Sequence, residues 1–399
     1  MVLNAASPMP RLIADCLPSD HARALLVARV WVPDLGPVVA LVAAGRLHDV
    51  SSLALTCSAL LDLPNPADLL RSALAAGRLP VIAALDAVLK NAEEASRDTS
   101  LPWLLAPCDL QAIKATGVTF VASLLERVIE EQARGDASRA QALRAELHQI
   151  LGQDLTGIQP GSQQAEEVKQ VLQARGAWSQ YLEVGIGPDA EIFTKAPVLA
   201  AVGLGSDVGL HPRSNWNNPE PEIVLAVNSL AQVVGVALGN DVNLRDFEGR
   251  SALLLGKAKD NNGSCAIGPF IRLFDEHFDI ESVRQCEIGL EVWGADGFRF
   301  VGHGAMSSIS RDPLDLVKHA MGSHHQYPDG MMMFLGTMLA PTQDRDAPGQ
   351  GFTHHVGDVV SVSVPQLGRL VNRVDRSDRI APWTFGIRAL MQSLAGRRP

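Results

Sequence analysis

Glu220, Glu222 and Asp241 are the residues of this chain whose types and spacing most directly suggest chemistry. Side chains alternate faces along an extended backbone, so Glu220 and Glu222, two apart, point the same way. Pro219 and Pro221 flank Glu220 and cannot donate to a sheet ladder, which puts the acids at a strand entrance or edge. An apolar run at 223–227, a turn at Asn228-Ser229 and a second apolar run at 233–238 read as a hairpin whose return brings Asp241 back to that entrance. Three like charges around one point repel unless a cation is present or a proton is shared. Oxygen ligands with no Cys or His beside them favour a hard ion, Mg²⁺ first, with Mn²⁺ or Ca²⁺ next. On spacing alone the same residues also suit a solvated acidic strand end with Asp241 in an ordinary turn.

Taken in combination, the strings around this hairpin resemble the fumarylacetoacetate hydrolase family. They are Glu220-x-Glu222, Gly239-Asn240-Asp241 with Arg245-Asp246 behind it, Gly256-Lys257-Ala258-Lys259-Asp260 and Gly268-Pro269. The likeness runs from about Leu105 to the C-terminus. Trp178-Ser179-Gln180-Tyr181, Trp216-Asn217-Asn218, Asp246-Phe247-Glu248-Gly249-Arg250-Ser251 and His325-Gln326-Tyr327-Pro328-Asp329-Gly330 are most like its sugar-acid branch, the 2-keto-3-deoxypentonate dehydratases.

That resemblance implies a divalent metal, Mg²⁺ foremost, on Glu220, Glu222 and Asp241. It also implies a lysine base beside a metal-bound 2-keto acid. Lys257 is the choice, preceded by Gly256 and three residues before Asp260, and Lys259 is the competitor with a substrate-binding role. A lysine near a dication in a closed pocket has its neutral form favoured, which makes it usable as a base. Arg245 and Thr337 are expected at the acid end of the substrate. Most of the family carries a His-x-x-Glu pair that prepares a water; here Ser123 stands in place of the His, against the substrate, while Glu126 keeps the acid. Without the imidazole the natural base for hydrolytic water is gone, which disfavours C–C hydrolysis and suits elimination with Glu126 protonating the departing hydroxyl. The expected reaction converts 2-keto-3-deoxypentonate to 2,5-dioxopentanoate. The rival expectations are hydrolysis of a 2,4-diketo acid and a non-catalytic ligand-binding member of the fold.

The elements that must position these residues follow from pattern. The expected class is α+β, mainly β: a mixed β-sheet roll or barrel with peripheral helices over 105–399, preceded by a smaller N-terminal α/β domain over 1–104 serving as lid, wall or dimer element. Residues 22–50 alternate short apolar runs with turn residues, a small strand meander. Helices are expected at 65–76, 81–90, in two pieces between 120 and 151, and from 163 to Gly176. Polar residues 91–100 are the linker candidate. Residues 287–293 alternate as a strand, 310–313 open a capped helix, and polar 342–351 suits a lid.

Composition closes off other classes. A net charge of −10 with no basic stripe argues against nucleic acid and anionic membranes. Five scattered cysteines without ligand spacing suit a reducing compartment, and no apolar run reaches membrane-span length, so a cytoplasmic protein is expected. Self-association as a dimer or tetramer is implied by the family. Gly203-Leu204-Gly205 lacks the spacing and the following Lys-Ser or Lys-Thr of a phosphate loop, and the rings of the adjacent pairs His324-His325 and His354-His355 diverge too far to share a metal readily.

Overall fold

The computed structural model describes residues 7–134, 136, 139, 158–174 and 178–397. Its strands are, in order, β1 (Leu26–Val32), β2 (Gly36–Ala43), β3 (Arg46–Asp49), β4 (Val81–Ala84), β5 (Trp103–Leu105), β6 (Ala112–Thr116), β7 (Ile192–Ala196) and β8 (Asp207–Leu210). There follow β9 (Pro221–Val227), β10 (Val233–Asp241), β11 (Cys265–Leu273), β12 (Glu287–Trp293), β13 (Arg299–Ala305), β14 (Met331–Phe334), β15 (Val359–Val364) and β16 (Gly368–Arg376). Eleven form one sheet in the order β4-β3-β2-β1-β11-β10-β9-β14-β6-β7, with β5 paired to β1; the other five form a second sheet, β13-β12-β15-β16-β8. Mixed sheets with helices at their margins make the class α+β and mainly β, as expected.

The hairpin lies at the centre of the larger sheet. Antiparallel β9 and β10 pair in register, Gly239 opposite Glu222 and Asn240 opposite Pro221. β9 shows no alternation because both its faces are covered. Ile223, Leu225 and Val227 join a core shared with Leu290, Val362 and Leu370 of the smaller sheet. Val224 and Ala226 join a second core with Leu60 and Leu70 from the helices Cys57–Leu61 and Pro66–Ala75. A strand buried on both sides needs a continuous apolar run, which residues 223–227 supply. Pro221 is tolerated because it is the first residue of the strand.

The expected meander is β1 to β3, and its strands continue the larger sheet: β1 pairs with β11, Leu26 opposite Arg272. Residues 81–84, expected as helix, form strand β4 against β3, with the helix confined to Leu85–Lys90. Val81-Ile82 supplies β-branched residues that fit a pleated edge better than a helix turn. The helix Val121–Ala133 forms the first of the two pieces expected between 120 and 151; the expected piece around 143–151, and Gly176, fall outside the described residues.

One glycine matters to how the sheet presents Asp241. A Cβ on Gly239 would lie 2.3 Å from the Phe334 ring and 2.6 Å from Val224. Gly239→Ala is expected to cost about 1–3 kcal/mol of stability by overpacking, read as a lowered urea midpoint with an unchanged slope.

Candidate functional site

β9 and β10 deliver Glu220, Glu222 and Asp241 to one place. An oxygen of each lies within 4.8 Å of the others, and all three residues are buried. The hairpin ladder makes the juxtaposition, since the Asp241 N–H donates to the Glu220 carbonyl at 2.9 Å and the Glu220 N–H to the Asn240 side-chain oxygen at 3.0 Å. Glu222 accepts the Gly336 N–H at 2.7 Å, which fixes its rotation. The acids line a small chamber, about 20 Å³ in volume, together with Thr116, Gly117, Val118, Arg127, Glu191, Phe193, Glu248, Lys259 and Thr337. Its wall thus carries five carboxylates and only two cations.

Each cation is placed against a named acid. Lys259 Nζ is 2.5 Å from Glu220 Oε2 and 3.1 Å from Asp241 Oδ2. Arg127 contacts Glu220 and reaches Glu248 at 2.9 Å. Behind the wall, Lys195 Nζ lies 2.7 Å from Asp241 Oδ1. Burial would raise the Glu220 carboxyl, but Arg127 and Lys259 outweigh it and hold the group below the usual range. Glu222 lacks such a cation at contact distance among the described ion pairs: burial, then Asp241 and Glu220, push its carboxyl well above the usual value. Burial lowers Lys259, yet the pull of Asp241, Glu220 and Glu248 carries it upward, so its ammonium is held here by acids. Glu191 is raised to about 7 by burial and then by Glu248, against Arg127 and Lys259.

The choice between the two lysines is corrected by helix geometry. Lys257 and Lys259 sit two residues apart on the short helix Leu255–Lys259, about 200° around its axis. Lys259 is 2 % exposed and reaches the acids, whereas Lys257 is exposed and absent from the chamber wall. A similar rotation displaces Glu126: it is half-buried and not in the wall, and its neighbour Arg127 takes the place facing Glu220. The side chain of Ser123 falls outside the described residues. Arg245 is buried behind the wall, its Nε donating to Asn218 at 2.8 Å and its guanidinium over Trp216, so it braces the loop that leads into β9. Thr337 does line the chamber, its hydroxyl donating to the Leu339 carbonyl at 2.8 Å.

Sequence reasoning missed Arg127, Glu191, Glu248 and Lys195 as site residues. Arg127 had a signal, since it lies three residues after buried Leu124 on the apolar stripe of its helix. Glu191 is admitted by Gly117: a Cβ there would fall 1.8 Å from the Glu191 carboxylate.

With this geometry in hand, comparison with known proteins is informative. Residues 188–375, which contain all three acids, Glu191 and Lys259, match the model of the fumarylacetoacetate (FAA) hydrolase C-terminal domain. That stretch, just under half of the chain, is similar to a fumarylacetoacetate hydrolase domain. The chain is 27 % identical over 190 residues to a 2-dehydro-3-deoxy-D-arabinonate dehydratase of Saccharolobus solfataricus, 48 % of this chain and 60 % of that one. It is 28 % identical over 194 residues to a probable 2-keto-3-deoxyxylonate dehydratase of Haloferax volcanii, 49 % of this chain and 63 % of that one. The matched stretches therefore span less than two thirds of either relative. A solved structure of 2-keto-3-deoxy-D-arabinonate dehydratase complexed with magnesium and 2,5-dioxopentanoate superposes with a TM-score of 0.58 at 18 % identity, covering 88 % of this chain and 99 % of that one. At that identity the likeness establishes a shared fold.

The donor set fits a hard dication: three carboxylates, no sulfur or imidazole in the wall, and an acid excess to offset. Glu222→Gln should raise the melting temperature in EDTA by about 2 °C, because it removes a carboxylate pressed against two others while keeping the Gly336 hydrogen bond. The same variant should lose the stabilisation that Mg²⁺ gives wild type, about 2.7 kcal/mol at a hundredfold excess over Kd; paired melts with EDTA and Mg²⁺ read both effects.

Proposed function

We propose that this protein is a Mg²⁺-dependent hydro-lyase that dehydrates a 2-keto-3-deoxy sugar acid, most simply 2-keto-3-deoxypentonate to 2,5-dioxopentanoate. The observation that carries the reading is one pocket wall that holds three carboxylates suited to a metal, the Lys259 amine and the Glu191 carboxyl, which holds its proton near neutrality. Glu220, Glu222 and Asp241 would hold the ion, with Mn²⁺ or Ca²⁺ as substitutes. When bound it supplies Lewis-acid polarisation of the substrate's carboxylate and 2-keto oxygens, which acidifies the C3 hydrogens.

Lys259 is the base in this reading. Its ammonium is held by Glu220 and Asp241, and its proton affinity falls once those charges are offset by a cation. The free amine then takes a proton from C3. Glu191 is the acid: protonated up to about pH 7, it gives its proton to the C4 hydroxyl, which leaves as water while C3 and C4 become doubly bonded. Moving a C5 hydrogen to C3 gives the C4=C5 enol, and transfer of its hydroxyl proton to C4 completes the aldehyde. Thr337 and the Gly336 backbone frame the acid end, and Arg127 pairs with Glu220 and Glu248. No histidine lines the chamber among the described residues, which supports elimination over hydrolysis of an acylpyruvate. Within the same reading the enzyme is cytoplasmic and self-associates, for which exposed Trp383, Ile387 and Met391 offer an apolar face; no described helix is long and apolar enough to cross a membrane.

An NMR assay with D- and L-2-keto-3-deoxypentonates, with and without EDTA, tests the reading; no turnover of either sugar acid in Mg²⁺ would sink it. Lys259→Ala should lower kcat by about 10²–10⁴, while Lys257→Ala stays within about twofold of wild type, as for other exposed positions. Because Glu191 must be protonated, kcat should fall as pH rises through about 7. Glu191→Gln should lower kcat and abolish that alkaline limb; an unchanged profile would remove Glu191 from the role.

A further inference from the structure

Lys195 is, among the described ion pairs, a charged contact at the acids that neither the sequence strings nor the proposed chemistry uses. It belongs to β7, is 0 % exposed, and does not line the chamber, so it cannot touch a substrate held there. A fully buried ammonium costs several kcal/mol unless it is paired and hydrogen-bonded. Lys195 is both. Its Nζ donates to the carbonyls of Val242 at 3.1 Å and Lys259 at 2.5 Å, and lies 2.7 Å from Asp241 Oδ1.

Those partners are informative. Val242 follows Asp241 in the chain, and Lys259 is the lysine whose side chain reaches the other Asp241 oxygen, Oδ2, at 3.1 Å. One ammonium therefore anchors the backbone just past the acid, the backbone of the lysine in the chamber, and the rear oxygen of the acid itself. The Asp241 Oδ1 contact is electrostatic, since that oxygen accepts no aligned hydrogen bond. The two carbonyls fix Nζ, and Nζ fixes by charge which Asp241 oxygen faces backwards.

We propose that Lys195 is a positioning residue that holds Asp241 Oδ1 from behind so that Oδ2 alone is presented to the metal position. The assignment rests on the metal reading given above. Mg²⁺ demands near-ideal octahedral geometry at about 2.0–2.1 Å, so a carboxylate free to rotate between one- and two-oxygen presentation is a poorer ligand. Groups that orient a ligand from outside typically change metal affinity by about 10- to 100-fold when removed.

The test is calorimetric Mg²⁺ binding to wild type, Lys195→Met and Ser264→Ala. Ser264 Oγ donates to the same Lys259 carbonyl at 2.7 Å without touching Asp241, so it separates loss of the acid's anchor from loosening of the backbone. Lys195→Met should weaken Mg²⁺ binding about 10- to 100-fold and Ser264→Ala by less than about twofold. Wild-type affinity in Lys195→Met, or an equal loss in Ser264→Ala, overturns the proposal. A chelated stability comparison stands apart from the metal. Lys195→Met removes one of the two ammonium groups on buried Asp241, leaving its charge under-compensated, and adding Asp241→Asn removes that charge, so the double variant should melt higher than Lys195→Met alone. If it melts no higher, the pair has no orienting role and the proposal fails. Wild type that binds no Mg²⁺ while the double variant does recover stability overturns the metal reading instead, leaving the Lys195–Asp241 pair intact as structure.

Discussion

Repulsion among three buried carboxylates is the constraint to which this structure answers. Two ionised acids within 4.8 Å of each other repel by at least about 3.5 kcal/mol at an effective dielectric near 20, and here three share one position out of water. The fold meets this with cations drawn from separate elements: Arg127 from a helix, Lys195 from β7 and Lys259 from the short helix before β11. It also leaves Glu222 and Glu191 inclined to keep protons. The site is therefore charged but provisionally balanced, with the remaining acid excess marking where a dication belongs.

That balance explains the arrangement of the sheet. β9 lies between β10 and β14 and is covered on both faces, so the acids at its entrance cannot relax apart by strand bending. β14 leads directly into Gly336, whose N–H holds Glu222, and the pairing of β6 with β7 brings Gly117 and Glu191 to the same wall. The three acids are thus held at the ends of rigid strands.

What was legible in the sequence was local. Glu220, Glu222 and Asp241 belong to one hairpin, and alternation plus two prolines suffices to read their convergence; the same holds for the β1 to β3 meander. Lys257 was preferred to Lys259 on linear spacing, but on a helix two residues of separation mean opposite faces, so only one could be buried. Glu126 lost its place to Arg127 for a similar reason: one step around a helix is about 100°. Lys195 and Glu191 gave no signal because their partners lie dozens of residues away, on strands whose pairing no local pattern declares. Val81–Ala84 read as helix from its alanines and became a strand because the β3 edge was open to it.

The junction of β1 with β11 bears on how the protein can be divided. β11 is also the neighbour of β10, which ends in Asp241, so the first hundred residues cap the strand adjoining the acid-bearing one. A shortened chain beginning at 105 would unpair the end of β11 at Ile271, Arg272 and Leu273 and take Asp20 away from buried Arg272, leaving an open strand edge of the kind that recruits other chains. The N-terminal part thus shields that edge, and trimming to a minimal fragment would sacrifice the protection.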